Sequence, residues 1–304
     1  MAYATGTADN HLDLLADLRD FLVGTGGWDV VGGVASGAIA HGDFVSFKGT
    51  GLGGTDQIYL TIKAHTNNPA GIYSLQMRGH TAYNVANPSD TPPGLNSPWV
   101  YLPLINDPIQ YWFVANGRRF IAVCKANNRY DVFYGGFILP EHLPSDWAYP
   151  VLVGGSANAL VPAAQEGWPH RNFWNCGDGT AYLFTPGATW RAMYNLVTPT
   201  NGFSENYINP DNTLCSVEWH STLSFPNKAR NIDLTPWMQE GRIVEYATSN
   251  LNRRNYLGVY DGLLYTPAAG AVVEQIIEHG GKDYLVIANV FRNSDNNLAA
   301  VCLE

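Results

Sequence analysis

Apolar residues recur at two different spacings along this chain. Over NHLDLLADLRDFLVG, Leu12, Leu15, Leu18, Phe21 and Leu22 fall on one side at a helical period. Thr7, Asp9 or Asn10 can cap the start, Asp13 and Asp17 suit the positive end of a helix, and Gly24, Gly26 and Gly27 end it. The pattern predicts one N-terminal amphipathic helix within an arm covering residues 1–27. Its face either covers a β core or docks on a neighbouring subunit. In the second case Leu12, Leu15, Leu18 and Phe21 are the interface residues.

After residue 28 the period changes. Short runs rich in Val, Ile, Phe and Tyr, cut by Gly, Pro and Asn, predict strands over 28–31, 43–48, 57–64, 73–79, 110–115, 120–125 and 132–139. A second set is predicted over 180–184, 190–194, 214–223, 242–246, 256–265, 272–279 and 284–290. The proline-bearing stretch 84–103 reads as an extended excursion, and 140–169 as a hinge. The expected fold is therefore mainly β: two β-sandwich or barrel-like domains, residues 28–155 and 156–304, preceded by the helix. GRRFIAV at 117–123 and GKDYLVI at 281–287 form a faint repeat, which two ordinary hairpins also explain.

Composition sharpens this picture. Charged residues make up 14% of the 304 residues, against roughly 25% in an average protein. Aromatics reach 12%, and interfaces are poor in Lys, Glu and Asp but rich in aromatics. A surface covered by other subunits fits as well as a large β core. The net charge of −9 argues against a nucleic-acid partner, since phosphate binding needs a basic stripe. No charged-then-apolar leader and no spanning apolar run are visible, so neither secretion nor membrane insertion is expected. Cys124, Cys176, Cys215 and Cys302 are widely separated, which suggests reduced thiols in a cytoplasm.

Several chemical signatures are present only in outline. GTGLGG at 49–54 matches a dinucleotide-binding spacing, but a strand-like segment follows it where that site needs a helix. His11 with Asp13, His41 with Asp43, and Glu218 with His220 lie close together without a second histidine at ligand spacing. Gly154-Gly155-Ser156 lacks a nucleophile elbow. The sequence thus assigns no catalytic residue, cofactor or metal. Sugar chemistry is the alternative it leaves open. Asp56, Glu166, Asp178 and Glu218 supply carboxylates, and Trp99, Trp168 and Trp174 are candidate glycan-stacking platforms.

Two segments carry a resemblance: residues 110–156, QYWFVANGRRFIAVCKANNRYDVFYGGFILPEHLPSDWAYPVLVGGS, and the C-terminal run from YLGVYDGLLYTP to NNLAAVCLE. With TGTADNHLDLLADLRDFLVGTGGWDV and GTGLGGTDQIYLTI, they resemble a family of tailed-bacteriophage virion structural proteins associated with the tail. The resemblance implies a component at or near the baseplate, present in several copies and assembled in the bacterial cytoplasm into the virion tail. Its partners would be other copies of itself, as a ring or trimer, and other phage tail proteins. The alternatives are a tail-borne receptor- or glycan-binding protein whose partner is a host surface glycan, and a polysaccharide-degrading enzyme.

Overall fold

The computed structural model describes residues 1–163, 170–175, 179–195, 213–218, 238–247, 250–266, 271–290 and 298–304. Strand β1 (Ala2–Ala8) leads into helix α1 (His11–Gly24). Five strands follow: β2 (Trp28–Gly33), β3 (Phe44–Gly49), β4 (Ile58–Asn67), β5 (Ile72–His80) and β6 (Val100–Leu104). They form an antiparallel meander in chain order. The glycine-rich stretch starts at Gly49, the last residue of β3, and continues into the connection to β4, an antiparallel hairpin that leaves no place for a following helix.

The rest of the chain builds a larger sheet. Its first half contains β7 (Ile109–Asn116), β8 (Arg119–Ala126), β9 (Arg129–Phe137), β11 (Val151–Gly154), β12 (Ala181–Phe184) and β13 (Trp190–Asn195). Its second half contains β14 (Thr213–Glu218), β15 (Gln239–Ala247), β16 (Asn250–Thr266), β17 (Ile276–His279), β18 (Lys282–Ile287) and β19 (Leu298–Cys302). The short β10 (Leu139–Pro140) pairs with β16. β1 forms one end of this sheet, beside β7, and β17 the other. β13 and β14 pair in parallel, and the remaining strand pairs are antiparallel.

Side-chain alternation explains how the layers stack. In β7–β9, Phe113, Ala115, Phe120, Ala122, Cys124 and Phe133 face a core shared with α1 and the five-stranded sheet. Their neighbours Trp112, Val114, Ile121, Val123, Val132 and Tyr134 face a second core with Tyr260, Leu263, Val286 and Val301. These central strands are buried on both faces, as their nearly unbroken apolar runs require. The two cores therefore share one sheet. The expected boundary at 155/156 lies in a hydrogen-bonded run: β11 pairs with β9 and β12, and Ser156 N–H then donates to Tyr101 O at 2.8 Å in β6.

Close packing explains the glycine pair in β9. A Cβ on Gly135 would sit 2.8 Å from Leu60 and Phe120. Gly136 has φ +124°, and a Cβ there would lie 2.3 Å from the Arg118 carbonyl. The smaller side chain lets the five-stranded sheet reach the central one.

Candidate functional site

The N-terminal segment belongs to the fold. The Asn10 side chain accepts from Leu12 N at 2.8 Å and Asp13 N at 3.1 Å, which satisfies two free donors at the start of α1. The helix buries Leu14, Leu15, Leu18 and Leu22, with Leu15 and Leu18 at 0% and 1% exposure in the chain's own core. These two candidate interface residues are therefore inaccessible to a neighbour. Leu12 and Phe21 are half-buried against the same core, and the Phe21 ring lies 5.7 Å from that of Phe113. Arg19, buried beside them, donates from Nη1 to Gly37 O at 2.8 Å and fastens the 34–40 loop to the helix.

A closed polar cluster joins β9 to Ser156, His170 and Asn172. Asp131 is fully buried and accepts from Arg129 Nε at 2.9 Å and His170 Nε2 at 2.7 Å. Burial alone would raise its carboxyl pKa, but the His170 charge and hydrogen bond, followed by Arg129, outweigh this and hold it below the usual range. Ser156 donates to Asn172 Oδ1 at 2.5 Å and accepts from Val132 N–H at 2.9 Å. Asn172 also donates to Tyr130 O at 2.8 Å, and its N–H donates to Asn289 Oδ1 at 2.7 Å. Serine, histidine and aspartate thus meet here, yet the Ser156 hydrogen is directed to Asn172 rather than to an imidazole. All three are 0% exposed, so the cluster is a brace joining β9 to Ser156, to residues 170–172 and to Asn289. Sequence spacing missed it because the partners are far apart in the chain. The available signal was Asp131 inside the apolar run YDVFYGGF.

The outer face of the five-stranded sheet is the second polar region. His80 Nδ1 lies 2.6 Å from Asn96 Oδ1 and Nε2 lies 2.8 Å from Thr61 Oγ1, which in turn lies 2.7 Å from Ser46 Oγ. The consistent arrangement has Ser46 donating to Thr61, Thr61 to His80, and Nδ1–H to Asn96. Burial, with the Arg78 charge nearby, lowers the His80 pKa to about 4 despite the Asn96 bond. The 81–99 loop is tied down beside it: Lys63 Nζ reaches Asp90 Oδ2 at 2.7 Å, and Arg78 donates to Asp90 O. The Arg78 guanidinium also sits 4.1 Å from the centre of the Trp99 ring.

The three candidate platforms therefore separate. Trp99 is half-buried, with Arg78 over its ring. Trp174 is 1% exposed and packs edge-on against Phe173, so it is a core side chain and offers no stacking face. Trp168 lies outside the described residues. Of the carboxylates considered for sugar chemistry, only Asp56 has a described side chain. Glu166 and Asp178 lie outside the described residues, the Glu218 side chain is likewise outside them, and Asp56 packs on the Gly51 turn.

Of the histidine–carboxylate neighbours, His11 with Asp13 and His41 with Asp43 lie in local contacts, and His220 with the Glu218 side chain lies outside the described residues. His11 Nε2 lies 2.8 Å from Thr66 Oγ1, and His41 Nδ1 accepts from Thr66 N at 2.9 Å. Asp43 accepts from Ala40 N at 2.8 Å. Among the described residues no group of three or more His, Cys, Asp or Glu is arranged to hold a metal ion. Cys124 and Cys302 are buried free thiols, and burial pushes the Cys124 thiol well above its ordinary value. Cys176 and the side chain of Cys215 lie outside the described residues. Within that same set, no helix is long and apolar enough to cross a membrane.

No protein-family model matches the chain, and no curated protein matches it.

Proposed function

We propose that this protein is a structural component of a bacteriophage tail, at or near the baseplate, working through contacts between subunits. The reading is carried by the resemblance of residues 110–156 to tail-associated virion proteins. That segment forms β7–β11, the sheet on which both cores rest. The resemblance therefore falls on residues that specify the scaffold. The low charged content supports the same reading, since covered surfaces carry few Lys, Glu and Asp side chains. Immunogold electron microscopy of particles tests it. Labelling at the distal end of the tail is expected, and unlabelled particles would count against the proposal.

Trp99 favours a second reading, a tail-borne module that binds a host surface glycan. It lies on the outer face of the five-stranded sheet beside Arg78, Asp90 and Lys63, an aromatic surface flanked by hydrogen-bonding groups. Binding of the protein to host cells, lost in Trp99→Ala, would support this reading. Equal binding by wild type and Trp99→Ala would remove it.

A further inference from the structure

The large sheet ends on β1, and the outer edge of that strand is open. Among the described residues its main chain pairs only with β7. Sheet edges are ordinarily guarded by charge, proline, a bulge or short length. β2, at the edge of the smaller sheet, carries Asp29 and a bulge between Val30 and Gly32. β17, at the far end of the large sheet, has four residues, among them Glu278 and His279. β1 has none of these guards: its seven residues, AYATGTA, contain no charge and no proline, and its register is unbroken.

The order of those residues identifies a partner. They are nearly symmetric about Thr5, with Ala2 matching Ala8, Tyr3 matching Thr7 and Ala4 matching Gly6. Ala2, Ala4, Gly6 and Ala8 pair with Ala115, Phe113, Tyr111 and Ile109, the face covered by α1, where small side chains let the helix approach. Tyr3, Thr5 and Thr7 are exposed on the other face.

We propose that β1 is the contact between two copies of this chain, the two strands pairing antiparallel about a two-fold axis at Thr5. Thr5 then lies opposite Thr5 of the second copy, and Tyr3 opposite Thr7, both favourable cross-strand pairs. Helix α1 lies over β1 and β7. With strands ~4.8 Å apart, a helix seated between them and its copy would be roughly 10 Å apart across the axis, the spacing of packed helices. The contact uses the same patch on both copies, so it closes at two and does not propagate into fibres. The inference rests on the proposed function only in taking the partner to be a second copy.

Sedimentation equilibrium of the intact chain tests the pairing, with a dimer expected at micromolar concentration. Thr5→Lys puts two ammonium groups face to face and should weaken the dimer more than ~10-fold, as should Thr5→Glu with two carboxylates. Mixing the two variants should restore a one-to-one heterodimer, which also shows that both are folded. Thr5→Cys should form an intermolecular disulfide under mild oxidation. A monomeric wild type, an unaffected Thr5→Lys dimer, or a mixture that stays monomeric with no disulfide in Thr5→Cys would overturn the proposal. A monomer found in particles would overturn the pairing and leave the tail reading intact, while a β1 dimer absent from particles would do the reverse.

Discussion

Asp131 is fully buried, so its two ion-pairing neighbours decide its contribution. Removing the charge in Asp131→Asn leaves Arg129 and His170 without it inside the protein. Breaking a buried pair in this way costs about 3–5 kcal/mol. Chemical denaturation should show an unfolding free energy lower by that amount, and an unchanged midpoint and slope would show that the brace is not stabilising. The acid response follows from other residues. Burial lowers the pKa of His11, and likewise that of His80, to about 4, against an unfolded value near 6.5. Above about pH 6.5 neither state binds these protons. As pH falls from there towards 4 the unfolded chain binds them first, so stability declines. Asp131 is lowered as well, and its contribution is lost only in more acidic solution, as pH falls from the unfolded carboxylate range through its folded pKa. Thermal unfolding should therefore give a lower Tm at pH 5 than at pH 7, with a smaller difference in His80→Gln. Equal differences in the two proteins would show that His80 is not a source of the slope. Asp131 inside its apolar run was the one signal of these roles in the sequence, because each role depends on partners that only the fold brings together.

Strands β4, β5, β7, β8 and β9 were legible as elements because their apolar runs are long and bounded by turn residues. β1, β6, β11 and β19 were not. β1 holds one large apolar side chain because a helix lies on it, and β6 sits inside a proline-rich stretch. β11 has four residues and β19 is built from Leu, Ala, Ala, Val and Cys, both too short or too small to give a clear period. The helix was legible, but its buried stripe runs through Leu14 as well as Leu15, Leu18 and Leu22, with Leu12 and Phe21 at its margins. Deleting residues 1–24 should therefore do more than weaken assembly. It removes β1 and uncovers the core under α1, so the shortened chain should lose its cooperative thermal transition; a retained transition would show an independent arm. The glycine pair makes a second prediction at this scale. Gly136→Ala forces a side chain into a left-handed backbone against the Arg118 carbonyl and should cost about 2 kcal/mol in denaturant unfolding.

The molecule as a whole is mainly β, and its layers account for the composition. A central sheet buried on both faces consumes apolar and aromatic residues in two cores at once. The expectation of two β-sandwich or barrel-like domains came from strand density and from the Pro- and Gly-rich stretch 140–169. Within that stretch β11 pairs with both β9 and β12, a pairing that no local pattern encodes. Part of the low charge thus has an explanation inside the fold, and the remainder bears on surfaces. The function is read from a resemblance lying on scaffold strands, so it must be tested in the particle. Quantitative mass spectrometry of purified virions, counting this chain against a tail protein of known copy number, does so most directly. The account predicts that the chain is present at a low, fixed copy number for each particle; its absence from purified virions would contradict a structural role in the tail.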